Sequence, residues 1–475
     1  MKTVFVSGSF NVLHPGHLRL LRFARESGDR LIVAVQSDRL AGKAAHVHEQ
    51  LRFEGVKSIT WVDEAFVFNE PLSNLILRLK PDVIVKGKEH ELRYNSELSL
   101  LEQYGGVLVF SSGETIFSSL DLIRKEFQDL DNHNISLPKD FLQRHQILPS
   151  RLIELLHKFS HLKVCVIGDL IVDEYITCEA LGMSQEDPTL VVTPIDSIQF
   201  VGGAGIVAAH AKGLGAEVQF VSVAGNDAAR DYALENLTSA GVDAELVIDD
   251  SRPTTLKQRY RSKGKSLLRV SHLHQGVVSL ALQVRLLDAL QKSIEDIDLL
   301  VFSDFNYGCL PQPLVDQIVD IAKMRGILMV ADSQSSSQLG DISRFKGMNL
   351  ITPTEREARI STRNREDGLV VLAEQLRQQA SASNILLKLG EEGLLIHAAN
   401  DSTNHWLTDR VDALNCSAKD VAGAGDSLLI ASAMTLACGG SIWEAACLGS
   451  LAAAVQVGRV GNTPIQVEEL LREIE

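Results

Sequence analysis

Lys419-Asp-Val-Ala-Gly-Ala-Gly-Asp426, running into the apolar segment 427–438, is the stretch of this chain best equipped for phosphate chemistry. Gly423 and Gly425 allow a tight turn and leave no Cβ to hold a ligand away. Leu428, Leu429, Ile430, Ala431, Ala433 and Met434 read as a buried helix, so the glycines, with Ala424 between them, fall at its N-terminus. Unpaired N–H groups and the helix dipole hold a phosphate there. Asp426 falls at the start of the helix, where a carboxylate is electrostatically favoured. It can take a proton from a hydroxyl while the amides of Ala424 and Gly425 face the charge growing on a transferring phosphoryl group. Taken without its surroundings, the same stretch is a loop with a capping Asp, because short Gly motifs arise by chance.

A second constellation lies near the start. Residues 3–6 form an apolar run that ends at Ser7-Gly8, as a buried parallel strand would, and Phe10-Asn-Val-Leu-His14-Pro-Gly-His17 follows. Leu18, Leu21 and Ala24 recur at helical spacing, Gly28 ends that helix, and residues 31–35 form another strand. This βαβ unit carries its histidine turn at the carboxyl end of the first strand, where open α/β sheets bind ligands. His14 and His17, three apart at a helix start, can turn both rings to one point. They would donate to the α-phosphate of a nucleoside triphosphate under attack by a phosphate-bearing substrate, through positioning and charge stabilisation. Zinc is the rival reading, and two histidines with no third ligand nearby count against it.

The elements that must position these groups can be bounded first by composition. A chain of 475 residues is long for one domain. Hydrophobic content of 45% and charged content of 23% are ordinary for a soluble globular protein. A formal charge of -15 disfavours nucleic acid or an anionic membrane as the main partner. Six scattered cysteines without a Cys-x-x-Cys pair suggest reduced thiols. No secretory h-region follows Met1, and the apolar run 445–457 is too short to span a bilayer, so a cytoplasmic protein is expected. Residues 129–150 turn polar and carry Pro138 and Pro149, which reads as a linker holding a short helix. Domains are therefore expected over 1–128 and 151–475. From residue 299 onward strands (299–302, 328–331, 349–352, 386–389) alternate with helix-length stretches, which predicts a parallel sheet with covering helices. Asp304, Asp332 and Glu357 fall just past three of these strands.

Residues 1–127 resemble the cytidylyltransferase-like nucleotidyltransferases. The resemblance rests on the His-x-Gly-His of His14 and His17, on 31–38 (LIVAVQSD), 81–88 (PDVIVKGK) and 118–124 (SSLDLIR). It implies triphosphate contacts, to ATP or CTP, from Gly8, Phe10, Lys86, Ser118, Ser119 and Arg124. Asn11 and Leu120 stand where that family carries an acidic residue and a Thr.

Residues 161–475 resemble the ribokinase-like sugar kinases, beginning with the Gly-Ala-Gly-Asp ending at Asp426. Residues 162–168 read as a strand running into a loop, where Asp169 and Asp173 could grip sugar hydroxyls. Gly168-Asp169 with Asp173 resembles the start of the heptose-kinase branch, and Gly202-Gly203 its sugar-binding turn. Lys257, Arg259 and Arg269 fall at basic positions of that branch and imply countercharges for a sugar's own phosphate. Glu357 resembles the residue acting through Mg²⁺, and Lys388, Gly390 and Gly393 the ATP-side loop. Strand-like runs 192–200 and 255–268 resemble the family's small β lid, which implies a homodimer. Ile206, Asn306-Tyr307, Thr354 and Ala422 depart from the family pattern. The whole chain is similar to the bifunctional heptose-phosphate kinase/nucleotidyltransferases, with the two domains in the opposite order. The expected fold is α/β, a Rossmann-like nucleotidyltransferase domain followed by a ribokinase-like α/β domain with a small β lid. The expected function is transfer from ATP to a sugar or sugar phosphate, with Asp426 as base, together with NDP-sugar formation. The alternative is an active nucleotidyltransferase fused to a degenerate, dimerising or sensing kinase-like domain.

Overall fold

A computed structural model describes residues 2–11, 13, 15–42, 45, 47–87, 95, 97–101, 103–111, 135–184, 187, 189–262, 265–292, 294, 296–334, 340–399, 407–415 and 417–474. The chain divides into two compact units, Met1–Asn132 and His133–Glu475.

In the first unit, β1 (Thr3–Gly8), β2 (Arg30–Gln36), β3 (Glu64–Phe68), β4 (Val83–Gly87) and β5 (Val107–Ser111) form one parallel sheet, ordered β3-β2-β1-β4-β5. The apolar runs seen in the sequence follow from burial on both faces. Val4 and Val6 share one core with Leu21 and Ala24 of the helix Pro15–Glu26. Phe5 shares the other with Leu75 and Ile76 of the helix Leu72–Leu79. The strand order reverses between β1 and β4, so the carboxyl ends of these two strands flank the crevice expected to take a ligand.

In the second unit, β6 (Lys163–Gly168) leads into a lid of four strands: β7 (Leu170–Met183), β8 (Leu190–Gly203), β11 (Thr255–Ser262) and β12 (Lys265–His272), ordered β12-β11-β7-β8. The main sheet has nine strands, ordered β10-β9-β6-β13-β14-β15-β16-β17-β18. Its further members are β9 (Glu217–Ala224), β10 (Asp243–Ile248), β13 (Leu299–Asp304), β14 (Leu328–Ser333), β15 (Leu350–Ile351), β16 (Asn384–Lys388), β17 (Leu394–Ala398) and β18 (Leu407–Val411). Pairing is parallel from β10 to β16 and antiparallel for the last two strands. Alternate β13 residues enter opposite cores: Leu299 and Val301 one, Leu300 and Phe302 the other. The helix Ala424–Ala437 is buried nearly all round, which explains its uniformly apolar sequence.

Two expectations need revision. Asp173 is on the lid strand β7 rather than in a loop, because the chain passes from β6 into the lid with only Asp169 between. The polar stretch 129–150 does not stay a linker over its described part. Ile135 bridges Asn415, and the helix Lys139–Arg144 buries Phe141 and Leu142 in the second unit's core, with Ile147 behind them. His145 stacks on Trp443 at 4.0 Å and bonds Asp409 at 2.7 Å. A few well-spaced apolar side chains suffice for docking where average composition is polar. No helix among the described residues is long and apolar enough to cross a membrane.

Candidate active sites

At the carboxyl edge of the main sheet, β6 and β13 approach so closely that a Cβ on Gly168 would lie 1.8 Å from the Ser303 carbonyl oxygen. Asp169 follows. Its carboxylate accepts the backbone N–H groups of Phe305 (2.8 Å), Tyr307 (3.3 Å) and Cys309 (3.2 Å). The sequence placed Asp169 on the sugar; instead it is buried and holds the loop after β13 in place. Asp304 is likewise engaged, by Arg344 at 2.9 Å and the Ser333 hydroxyl at 2.7 Å.

Asp173, Gly203, Lys257, Arg259, Gln334 and Asp426 help to line a cavity of about 190 Å³. Asp426 is the third residue of its helix and only 6% exposed. Burial, then the charge of Asp332, push its carboxyl group up to about 7, against the pull of Lys388. Asp173 is raised too, chiefly by burial, with Arg259 and Lys257 opposing. Gly202 and Gly203 are needed for space: a Cβ on Gly202 would lie 2.4 Å from Asp173 Oδ2, and Gly203, at φ 58°, would put one 2.4 Å from the Asp169 carbonyl.

The basic row on β11 rests on aromatic rings. Lys257 Nζ lies 5.1 Å and 5.2 Å from the Phe305 and Tyr307 centroids, and the Arg259 guanidinium 5.1 Å from that of Tyr175. Tyr307, a departure from the family pattern, is thus a platform for Lys257. Arg269 is placed differently from expectation: it pairs across from Arg259 on the outer strand β12, exposed and outside the cavity lining.

A second cavity, of about 440 Å³, shares Gly425 and Gln334 with the first. Glu357, Lys388, Gly390 and Gly393 form its polar end; Leu428, Ala453 and Val457 give an apolar wall suited to a base. Gly390 (φ 64°) and Gly393 (φ 88°) take left-handed conformations, and a Cβ on Gly393 would lie 2.1 Å from the Val411 carbonyl. Lys388 Nζ lies 3.0 Å from each Asp332 oxygen and 3.2 Å from where a Gly425 Cβ would stand. Burial works against its charge, but Asp332 and Glu357 more than reverse this and raise its pKa above the usual value. Thr354 caps the helix Glu355–Thr362 in a reciprocal box with Glu357, its N–H donating to Oε2 at 2.8 Å. The departure from Asn therefore holds Glu357 at the cavity wall. One carboxylate there, with both Asp332 oxygens turned to Lys388, suits Mg²⁺, which usually takes one or two carboxylates beside phosphate oxygens and water.

Gly423 sits at φ 76°, and a Cβ there would lie 2.4 Å from Asn462 Oδ1. Gly423→Ala is expected to destabilise the fold by about 1–3 kcal/mol. Thermal or urea unfolding of the variant against the parent checks this.

In the first unit, Gly8 ends β1 and Phe10 follows at φ 49°, buried. A Cβ on Gly8 would touch the Phe10 ring at 3.1 Å, and that ring lies 5.2 Å from the His17 ring. Phe10 and His17 are therefore brought together at the β1 end of the switch point. His14, Ser118, Ser119 and Arg124 lie outside the described residues. Lys86, expected on the triphosphate, is ion-paired with the largely buried Glu97 at 2.7 Å and bonded to Asn95 at 2.9 Å. Its ammonium, at the end of β4, is thus held by two side chains of the same unit. Sequence reasoning also missed Arg52. Its fully buried guanidinium bonds the carbonyls of Ser9 and Val47 and the Asp38 carboxylate, fixing the turn after β1. Gln334, 3.5 Å from Asp426 Oδ1, was missed as well, although its place just past β14 was a usable signal.

Two regions of the chain match known families. Residues 5–105 match the cytidylyltransferase-like family, and residues 161–468 the pfkB family carbohydrate kinases. "Bifunctional protein HldE" of Desulfatibacillum aliphaticivorans is 30% identical over 321 residues, covering 67% of this chain and 64% of that protein. The protein of that name from Bradyrhizobium diazoefficiens is 31% identical over 318 residues, covering 66% and 62%. The chain thus spans somewhat less than two thirds of these relatives' own length. The structure of Arabidopsis thaliana ribokinase complexed with ribose and ATP has a TM-score of 0.52 at 17% identity, over 66% of this chain and 98% of that one. That of phosphofructokinase-2 from Escherichia coli has a TM-score of 0.53 at 16% identity, over 66% and 98%. Such identities show a shared fold. With the glycine turn, Asp426 and the lid all inside the matched stretch 161–468, the chain belongs to the pfkB family of carbohydrate kinases.

Proposed function

We propose that this chain is a two-headed transferase. The second unit phosphorylates a sugar or sugar phosphate from ATP, and the first joins a sugar-1-phosphate to a nucleotide with release of pyrophosphate. The observation that carries the kinase half is the meeting of two cavities at Gly425, with Asp426 on the acceptor side and its carboxyl group near 7.

In the kinase, the Asp426 carboxylate takes the proton of an acceptor hydroxyl. The hydroxyl oxygen bonds to the γ-phosphorus as the bond to the β–γ bridging oxygen breaks, and ADP leaves. The N–H groups of Ala424 and Gly425 and the Lys388 ammonium face the charge on the moving phosphoryl group. Mg²⁺, which Glu357 would hold, neutralises charge on the phosphate oxygens when bound. Asp173 orients acceptor hydroxyls. The row of Lys257 and Arg259 favours an acceptor that carries its own phosphate, of the heptose-phosphate class. Intact chemistry at Gly423, Gly425 and Asp426, with Thr354 and Tyr307 each supporting a site residue, favours this over a degenerate kinase.

In the first unit, a sugar-1-phosphate oxygen attacks the α-phosphorus of ATP or CTP and pyrophosphate departs. His17, with His14, steadies the α-phosphate, and Gly8 and Phe10 shape the turn beneath it. A nucleotide-dependent sugar enzyme of this kind belongs in the cytoplasm. Exposed Leu181, Met183 and Ile195 on the lid support a homodimer through that sheet. Ile195→Glu is then expected to shift the sedimentation coefficient from dimer to monomer.

The test supplies the full chain with ATP or CTP, Mg²⁺ and a panel of sugars, sugar phosphates and sugar-1-phosphates, following ADP and pyrophosphate separately. ADP is expected with a phosphorylated sugar and pyrophosphate with a sugar-1-phosphate. Failure of every acceptor to yield ADP removes the kinase half. His17→Asn is expected to lower pyrophosphate release about 10²-fold or more while ADP release holds, which separates the two heads.

A further inference from the structure

Asn462 belongs to no motif, yet it lines the cavity that holds Asp173 and Asp426. It also lines an adjoining chamber of about 200 Å³ that reaches Ile206. Its side chain is 9% exposed, and its Oδ1 has no hydrogen-bond partner. The amide is wedged between the two functional turns: a Cβ on Gly202 would lie 3.5 Å from Nδ2, and one on Gly423 2.4 Å from Oδ1.

The backbone on either side is pinned. The Gly461 N–H donates to Asp420 Oδ2 at 3.2 Å, the Gly461 carbonyl accepts from Gln456 Nε2 at 2.9 Å, and the Ile465 N–H donates to His210 Nδ1 at 3.1 Å. A buried amide is costly unless its polar atoms are paired. Oδ1 itself is shut in against Gly423, whereas Nδ2, on the Gly202 side, is not enclosed. A fold that fixes such an amide between two cavities has built a donor for something that enters.

We infer that Asn462 is a substrate-contacting specificity residue of the kinase site, its amide hydrogen-bonding the acceptor sugar between Asp173 and the glycine turn. The inference rests on the kinase reading only for the acceptor's identity. Sites built to pair a substrate hydroxyl reject analogues lacking it, because the site's own polar group is then stranded. Asn462 therefore selects the acceptor and leaves ATP binding alone.

The test compares the full chain with Asn462→Leu and Asn462→Ala by thermal unfolding, alone, with ATP–Mg²⁺, and with each member of a sugar-phosphate panel. Asn462→Leu removes a stranded amide without opening a void, so its unliganded Tm is expected to equal or exceed that of the parent. The stabilisation by ATP–Mg²⁺ is expected to persist. Stabilisation by the best acceptor should be lost, with KM for that acceptor up at least about 10-fold by the loss of one buried hydrogen bond. An acceptor shift unchanged in both variants overturns the inference, as does a lower unliganded Tm with all ligand shifts retained, which marks a purely structural amide. A parent chain shifted by no acceptor overturns it too. If the parent is shifted by an acceptor but transfers no phosphate, the kinase reading fails while Asn462 is still judged by the shift.

Discussion

Asp426→Asn is expected to cut ADP release by about 10³-fold or more, because on the proposed mechanism the acceptor's proton then has no base to go to. The same change should make the protein more stable above neutral pH. The carboxyl group is raised from 3.8 to about 7 in the folded chain. Well below pH 3.8 it is protonated whether folded or not, and its contribution to stability is intact. As pH rises toward 7 the unfolded chain ionises freely while the folded one resists. Stability is therefore lost through that window, up to ~4 kcal/mol by pH 8. Asn carries no charge and escapes this loss, so the gain in Tm should be large at pH 8 and shrink toward pH 5. In the parent enzyme kcat/KM for the acceptor should climb with pH through about 7, since the base works only when ionised. A variant that kept its ADP release would remove Asp426 from the mechanism.

Lys388→Met is expected to have the second-largest effect, and on two readouts. It strands Asp332, 2% exposed, without the ammonium that meets both its oxygens at 3.0 Å. Breaking such a buried pair from one side costs about 3–5 kcal/mol. It also withdraws a positive charge from the wall beside Gly425, so ADP release should fall by about 10²–10³-fold. Adding Asp332→Asn tells the two effects apart. The neutral amide can still meet the Thr352 hydroxyl, now 3.1 Å from Asp332 Oδ1, so much of the lost Tm should return. Turnover should not. Recovery of both would make Lys388 a structural cation only.

The sequence showed the parts of each site that are local in the chain. Gly423 to Asp426 must turn, open a helix and bury it within a few residues, and each demand leaves its mark on residue type. The βαβ pattern that placed Phe10 and His17 at a strand end was legible for the same reason. What stayed hidden depends on partners far away in sequence. Lys86 looked free for an anion until Glu97 folded back onto it. Asp169 looked like a sugar ligand until the loop at 305–309 claimed its oxygens. Arg269 and Arg259 read alike as basic residues of neighbouring strands, but the strand order leaves Arg269 on the outer edge. Asn462 gave no signal at all, since a lone Asn after Gly is most simply a turn residue.

Gly425 and Gln334 line both the acceptor cavity and the nucleotide cavity, so on the proposed mechanism a seated nucleotide and a seated acceptor meet there. An empty acceptor cavity would admit water to the same line of attack and spill the nucleotide to hydrolysis. With burial raising the carboxyl group of the proposed base, Asp426, to about 7, the resting enzyme holds that group partly protonated near neutrality. Idle ATPase activity should therefore stay low near neutrality and grow in alkaline buffer, an economy built into the burial of a single carboxyl group.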